Sequence, residues 1–421
     1  MDKLIIKGGR RLEGTISVSG SKNATLPIAV AAAILADSAS VIHNVPNLRD
    51  VDTLCAVLEM LGARTKFKES TLHIEPKSDM AYEAPYDLVR KMRASIYVLG
   101  PLVARLGRAK VSFPGGCAIG PRPIDLHLKG LERLGTDIKI EGGYIIAQTD
   151  GLVGADIHLR GTHGSSVGAT ANVMMAATLA KGTTLIRDAA CEPEVTELAN
   201  FLNAMGANIE GIGTSVLKIH GVKRLHGTEY AVIPDRIEAG TFMVAGAITQ
   251  GDVFVKNAIS EHLGAVSEKL LRAGVQMDWA GDGVQVTTPR PLQAVDIRTD
   301  TYPGFPTDMQ AQMMGLLSIT PGISIITEGI YTDRFTHAAE LNRMGADIRV
   351  EGSSAVVHGV PKLSGAPVMA SDLRAGAVLV LAGMAAEGET VVSRVYHIDR
   401  GYEFIERKLA GIGADIVRVN D

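Results

Sequence analysis

The sequence predicts an α/β protein of two domains, each built from three copies of one β-α-β-α-β-β block. Three observations carry this. A signature of Leu-x-x-x-Gly followed by Ala, Thr or Val recurs at Leu58/Gly62, Leu131/Gly135, Leu202/Gly206, Leu270/Gly274, Leu341/Gly345 and Leu409/Gly413, with glycine separations of 73, 71, 68, 71 and 68. The same order of local signals surrounds each copy. The chain of 421 residues is long enough for more than one full core, as two trios of blocks burying faces against their neighbours would require.

Each block begins at a polar start leading into a helix of alanine and other small residues: Asn23-Ala24-Thr25, Arg93-Ala94-Ser95, Ser166-Val167-Gly168-Ala169, Glu238-Ala239-Gly240, Asp308-Met309-Gln310 and Arg374-Ala375-Gly376. Breaks such as Lys181-Gly182, Gln250-Gly251, Pro321-Gly322 and Glu387-Gly388 end that helix. A short β-branched strand follows, as in Val41-Ile42-His43, Thr184-Leu185-Ile186 or Val253-Phe254-Val255. After a loop comes a second helix, closed by the leucine signature, whose glycine suits the left-handed position just past a helix. A strand, a glycine turn and another strand complete the block, as at 138–146.

This places the first domain at residues 21–230, with the second formed by 231–421 together with 1–20. The break falls within 229–235, where Val232-Ile233-Pro234-Asp235 opens the fourth block. The N-terminal strand precedes the first helix, so its pairing in the far domain makes a double crossover. Polar residues that do not fit the packing pattern gather at two equivalent positions. One is the start of the first helix (Lys22, Asn23, Arg93, Asp308, Asp372, Arg374). The other is the loop after the short strand (Cys117, Arg122, residues 330–334, and His397 to Arg400). Equivalent positions of a repeat share a face, so two facing domains would line one cationic cleft, helped by unpaired N–H groups and the positive dipole of helix N-termini.

Several of these residues have plainer readings. Asp308 would serve as a helix cap. Arg334 and Arg400 could pair with the adjacent Asp333 and Asp399. Lys22 and Arg374 could be solvated, although a cation opposes the dipole at a helix N-terminus. His43, His73, His226 and His358 are read as structural.

Bulk composition excludes several classes. The net charge of -4, with no long run of like charge, argues against a general nucleic-acid binder. Cys55, Cys117 and Cys191 have no metal-ligand spacing and suit a reducing cytoplasm, with Cys55 in an apolar segment. The apolar stretches at 28–36 and 375–386 are too short to span a bilayer, and the N-terminus has no secretory pattern. The expected place is therefore the cytoplasm, with neither membrane nor nucleic acid as partner.

The loop Pro114-Gly115-Gly116-Cys117-Ala118-Ile119-Gly120-Pro121-Arg122-Pro123-Ile124-Asp125 is the clearest chemical signal. Its glycines let the backbone turn amide groups toward a ligand. A thiol beside a guanidinium and backbone dipoles is suited to act as nucleophile or proton donor. The same cysteine could instead be a small apolar residue in a surface loop.

This loop, Gly20-Ser21-Lys22-Asn23-Ala24, Ser166-Val167-Gly168-Ala169-Thr170, Phe305-Pro306-Thr307-Asp308-Met309-Gln310, Asp372-Leu373-Arg374-Ala375 and Tyr396-His397-Ile398-Asp399-Arg400-Gly401-Tyr402-Glu403 together resemble the UDP-N-acetylglucosamine enolpyruvyl transferases, in order along the whole chain. The resemblance implies two inside-out α/β domains of three repeats each. It also implies transfer of the enolpyruvyl group of phosphoenolpyruvate to the 3-hydroxyl of UDP-N-acetylglucosamine with release of phosphate, the first committed step of peptidoglycan synthesis.

On the same resemblance Lys22, Asn23, Arg122 and Arg400 hold phosphoenolpyruvate, and Cys117 is the proton donor and covalent adduct site, the target of fosfomycin. Asp308 is the base for the sugar hydroxyl. Asn23, Arg93, Arg122, Pro123, Ile124, Asp125, Leu126, Ser166, Val167, Gly168, Asp308 and Ile330 contact the UDP-sugar, Arg334 and Arg374 are supporting charges, and neither cofactor nor metal is needed. Where some relatives carry a lysine before Ser166, this chain has Thr162-His163-Gly164-Ser165. The diphosphate contact would pass to backbone amides or His163. A related transferase with another acceptor, enolpyruvylshikimate phosphate synthase, is the alternative; that family lacks the cysteine loop.

Overall fold

The computed structural model describes residues 2–84, 86, 93–113, 124–289 and 291–420. They form two compact units, one of residues 20–113 and 124–233, the other of 2–19 and 234–420. Each unit has its own apolar core.

Six four-stranded sheets occur among the described residues, and all share one order. The strand entering the block lies beside the strand after the first helix, next comes the last strand, and the strand after the second helix sits at the edge. In the second block these are Glu83–Ala84, Arg108–Ser112, Tyr144–Gln148 and Asp137–Glu141. The first pair is parallel and the other two are antiparallel.

Three positions are filled by strands distant in sequence. Glu229–Ala231 enters the first block, parallel to Ser40–His43. Glu13–Ser17 enters the fourth, parallel to Asp252–Lys256. Lys3–Lys7 is the last strand of the sixth, antiparallel to both Glu389–Ser393 and Asp415–Val419. The N-terminal strands thus belong to the sheets of the later unit, and among the described residues the chain passes from one unit to the other after Ser19 and after Ile233.

The first helix of each block is apolar around most of its circumference, which makes it a core helix rather than a surface one. Every residue of Gln310–Ser318 is buried, and in Lys22–Ile34 all but Asn23 are. Small residues permit the close packing this demands. A Cβ on Gly315 would lie 2.6 Å from Val378 of the neighbouring central helix, and one on Gly100 would lie 2.4 Å from Asn172. The second helices are amphipathic; Arg49–Met60 turns Val51, Leu54, Val57 and Leu58 inward. Each unit is therefore built with helices inside and sheets outside.

The recurring leucine signature closes these second helices by one device. All six glycines have positive φ, from 92° at Gly345 to 112° at Gly62. Each time the amide after the glycine donates to the leucine carbonyl, as in Ala63 N to Leu58 O at 3.0 Å and Val275 N to Leu270 O at 3.0 Å. This is the Schellman arrangement, in which a left-handed residue turns the chain and satisfies an end carbonyl. All six leucine side chains are fully buried. No helix among the described residues is long and apolar enough to cross a membrane.

Candidate active site

In the unit formed by 2–19 and 234–420, the N-terminal turns of the central helices meet around one carboxylate. Asp308, in the 3-10 turn Thr307–Met309, accepts from Arg334 Nη1 at 2.7 Å and from Arg374 Nη2 at 2.9 Å. Both arginines are almost wholly buried, while the Asp308 side chain keeps 27% of its surface exposed. Burial pushes the Asp308 carboxyl up, but the charges of Arg374 and Arg334 and their hydrogen bonds outweigh it and hold it well below the usual range. Arg374 also donates from Nη1 to the Tyr402 hydroxyl at 3.0 Å, which lies 2.9 Å from Thr241 Oγ1, and Gln312 Nε2 donates to both hydroxyls. Asp372 caps the helix Leu373–Ala385 by accepting from the Arg374 and Ala375 amides.

The loop carrying Ile330 and Arg334 is held by a buried carboxylate. Glu328 Oε1 accepts from Thr299 Oγ1 at 2.6 Å and from the Ile330 and Tyr331 amides at 3.0 Å each. Its Oε2 accepts from Thr307 Oγ1 at 3.0 Å, and Thr307 Oγ1 in turn accepts from Arg334 Nη1 at 3.0 Å. Arg334 thus bridges Asp308 and Thr307 and does not turn to Asp333. Asp399 pairs with Arg418 at 2.6 Å. Arg400 ends the 3-10 turn Val395–Arg400 and is half-buried.

In the unit formed by 20–113 and 124–233, Ser21 caps the helix Lys22–Ile34, and the buried Lys22 Nζ lies 3.2 Å from Asp50 Oδ2. Asn23 beside it is half-buried. Arg93 opens the 3-10 turn Arg93–Val98, and Ser166 caps Val167–Ala177, accepting from Ala169 N. Ile124 is buried and precedes Asp125–Arg133; Asp125 is exposed and Leu126 half-buried. His127 on that helix packs against Gly168, its ring 3.0 Å from where a Cβ on Gly168 would be. Asn172 Oδ1 accepts from Gly100 N at 2.6 Å, and its Nδ2 donates to Ile96 O at 2.8 Å and to His127 Nδ1 at 3.1 Å. Burial lowers the His127 pKa to about 4, so the ring is neutral with its proton on Nε2. His163 is exposed, in the turn of the hairpin Arg160–Gly161/Gly164–Ser165.

Cys117, Arg122 and Pro123 lie outside the described residues. Cys55 and Cys191 have thiols that burial pushes up, Cys55 to about 11, which keeps them protonated and unreactive near neutrality. The structure therefore brings together Asp308, Arg334 and Arg374 in one unit and sets Lys22, Arg93 and Ser166 at equivalent helix starts in the other. Arg334 and Arg374 share the one carboxylate between them, so the three groups together keep one net positive charge. Sequence reasoning passed over Glu328 and Asn172, and quoted Tyr402 within a motif without giving it a role. The only sign of Glu328 was an acidic residue directly after a β-branched strand, in the same loop as Arg334.

A family profile described as EPSP synthase (3-phosphoshikimate 1-carboxyvinyltransferase) matches residues 6–409. A UDP-N-acetylglucosamine 1-carboxyvinyltransferase of Trichlorobacter lovleyi is 56% identical over the full length of both chains. One of Methylacidiphilum infernorum is 54% identical over 100% of this chain and 99% of its own. Among solved structures, the enolpyruvyl transferase NikO from Streptomyces tendae superposes with a TM-score of 0.90 at 27% identity, covering 100% of this chain and 99% of that one. EPSP synthase from Acinetobacter baumannii, at 18% identity and a TM-score of 0.74 over both full chains, shares the fold. With the repeat architecture and full-length likeness in agreement, the chain belongs to the enolpyruvyl transferases of the EPSP synthase family, among the UDP-N-acetylglucosamine 1-carboxyvinyltransferases.

Proposed function

We propose that the protein transfers the enolpyruvyl group of phosphoenolpyruvate to the 3-hydroxyl of UDP-N-acetylglucosamine, releasing phosphate, in the cytoplasm. The likeness to transferases of that name, 54–56% identical from end to end, carries the reading of substrate. The clamped Asp308 supports the reading of mechanism.

In this proposal Lys22, Arg122 and Arg400 neutralise the phosphate and carboxylate of phosphoenolpyruvate, a contribution made before the reaction begins. Cys117 delivers a proton to the methylene carbon, and the adjoining carbon takes on oxocarbenium character. The sugar oxygen attacks that carbon and passes its proton to Asp308. The Cys117 thiolate then takes a proton back from the methyl group as the bond from that carbon to the phosphate oxygen breaks, which yields the enol ether and phosphate and restores the thiol. A carboxylate stabilised by two guanidiniums is a weak base at rest. It can still accept this proton, because a hydroxyl bonding to a cationic carbon becomes strongly acidic as it does so. Asn23 orients the hydroxyl. Arg93, Ile124 to Leu126, the Ser166–Gly168 turn and Ile330 contact the nucleotide sugar, with Pro123 beside Arg122.

The test is phosphate release from phosphoenolpyruvate with each acceptor. Release is expected with UDP-N-acetylglucosamine and not with shikimate 3-phosphate; equal release with both overturns the acceptor.

A further inference from the structure

We propose that Glu328 is a positioning residue for Asp308, acting through Thr307 and Arg334. The inference rests on the reading of Asp308 as the proton acceptor. A carboxylate has only acceptor sites, so a buried one dictates which way neighbouring hydroxyls point. Glu328 is 1% exposed and has four donors around it: the hydroxyls of Thr299 and Thr307 and the amides of Ile330 and Tyr331. The Thr307 proton is committed to Glu328, which leaves the Thr307 oxygen as an acceptor for Arg334 Nη1. The same Nη1 reaches Asp308 Oδ1 at 2.7 Å. Glu328, Thr307, Arg334 and Asp308 therefore form one directed chain of hydrogen bonds, ending at the carboxylate assigned to the chemistry.

A second branch of the network fixes the backbone. Thr299 donates to Glu328 and accepts from Gly329 N at 2.9 Å, while Glu328 takes the next two amides. The loop is thereby wound about the carboxylate, and the Tyr331 ring comes to lie 5.7 Å from the Arg334 guanidinium. A glutamine at 328 would have nearly the same shape but would turn a donor toward either a hydroxyl or an amide. One link would be lost, and Arg334 would be free to shift against Asp308.

The experiment is a double-mutant cycle between Glu328→Gln and Asp308→Asn, read as single-turnover rates and as KM for each substrate. Glu328→Gln is expected to lower kcat about ten- to a hundredfold, the scale on which small displacements of reacting groups act, with both KM values changed by less than about threefold. In the Asp308→Asn background the same substitution should cost less than about twofold, since residues acting as one unit are not additive. Equal losses in both backgrounds, or a loss confined to KM, overturn the proposal. Thr307→Val, which leaves the bonds from Glu328 to the loop amides in place, should reproduce the loss of kcat, and Thr307→Ser should recover most of it. An undiminished kcat in Thr307→Val overturns the relay even if Glu328→Gln does not fold. Undiminished turnover in Asp308→Asn would bring down the underlying reading together with this inference, whereas additive losses bring down the inference alone.

Discussion

The closing turns of the outer helices and the opening turns of the central helices repeat equally often, yet they differ in kind. At the closing turns the six leucines are all fully buried, the six glycines all have positive φ, and the same amide-to-leucine hydrogen bond recurs. At the opening turns a Ser or Asp cap recurs in four copies, at Ser21, Ser166, Asp235 and Asp372, but the charged groups beside the helix start do not recur. One start carries Lys22 against Asp50, and another Asp308 between Arg334 and Arg374. A position that serves only to end a helix has one good solution and keeps it in each copy. A helix start with spare N–H groups is open to different chemistry in each copy.

This contrast can be broken first at Asp308. Asp308→Asn is expected to cut turnover about a hundredfold or more, the scale of general base catalysis, and also to lower stability because two buried guanidiniums lose their counter-ion. Phosphate release and urea unfolding measure the two effects. Turnover close to the unmodified rate would reduce Asp308 to a partner of the arginines.

Leu341→Ala should show the converse. Truncating a fully buried leucine costs about 2–5 kcal/mol of stability, read from the urea midpoint, while turnover of the folded protein stays within about twofold. A loss of rate matching the Asp308 variant would show that closing turns also serve the chemistry.

The smallest expected effect sharpens the comparison within one unit, at His127. Its folded pKa of about 4 lies below the ordinary 6.5. The associated stability is complete above pH 6.5 and is lost as the pH falls toward 4, because the unfolded chain takes up the proton first. The loss is on the order of 3 kcal/mol at most. His127→Gln should flatten that part of the stability profile; an unchanged slope between pH 6.5 and 4 would place the acid sensitivity elsewhere.

Legibility follows the same division. The Leu341/Gly345 turn is complete within six consecutive residues, so the pattern and its physical meaning could be read together. The repeat spacing also identified equivalent helix starts, which is why Asp308 and Arg374 were grouped. Their pairing was not legible, because they stand 66 positions apart and equivalence says which end of a helix a residue occupies, not which neighbour it faces. Arg374 consequently looked like a charge awaiting a ligand, and the folded unit gives it Asp308 and Tyr402. Glu328 was harder still, since a lone acid after a strand has no local mark of being buried.

What the order of residues determined by itself was the repeating unit, its helix ends and its core helices, because each depends on contacts within a few residues or on uniform apolarity. The place of the N-terminal strand in the far domain was expected, but which sheet each distant strand completes, and which charges pair at the helix starts, were decided only in three dimensions. Hydrogen bonding between strands and ion pairing depend on proximity, and proximity between Ile5 and Val417, or Asp308 and Arg374, exists only once the chain has folded.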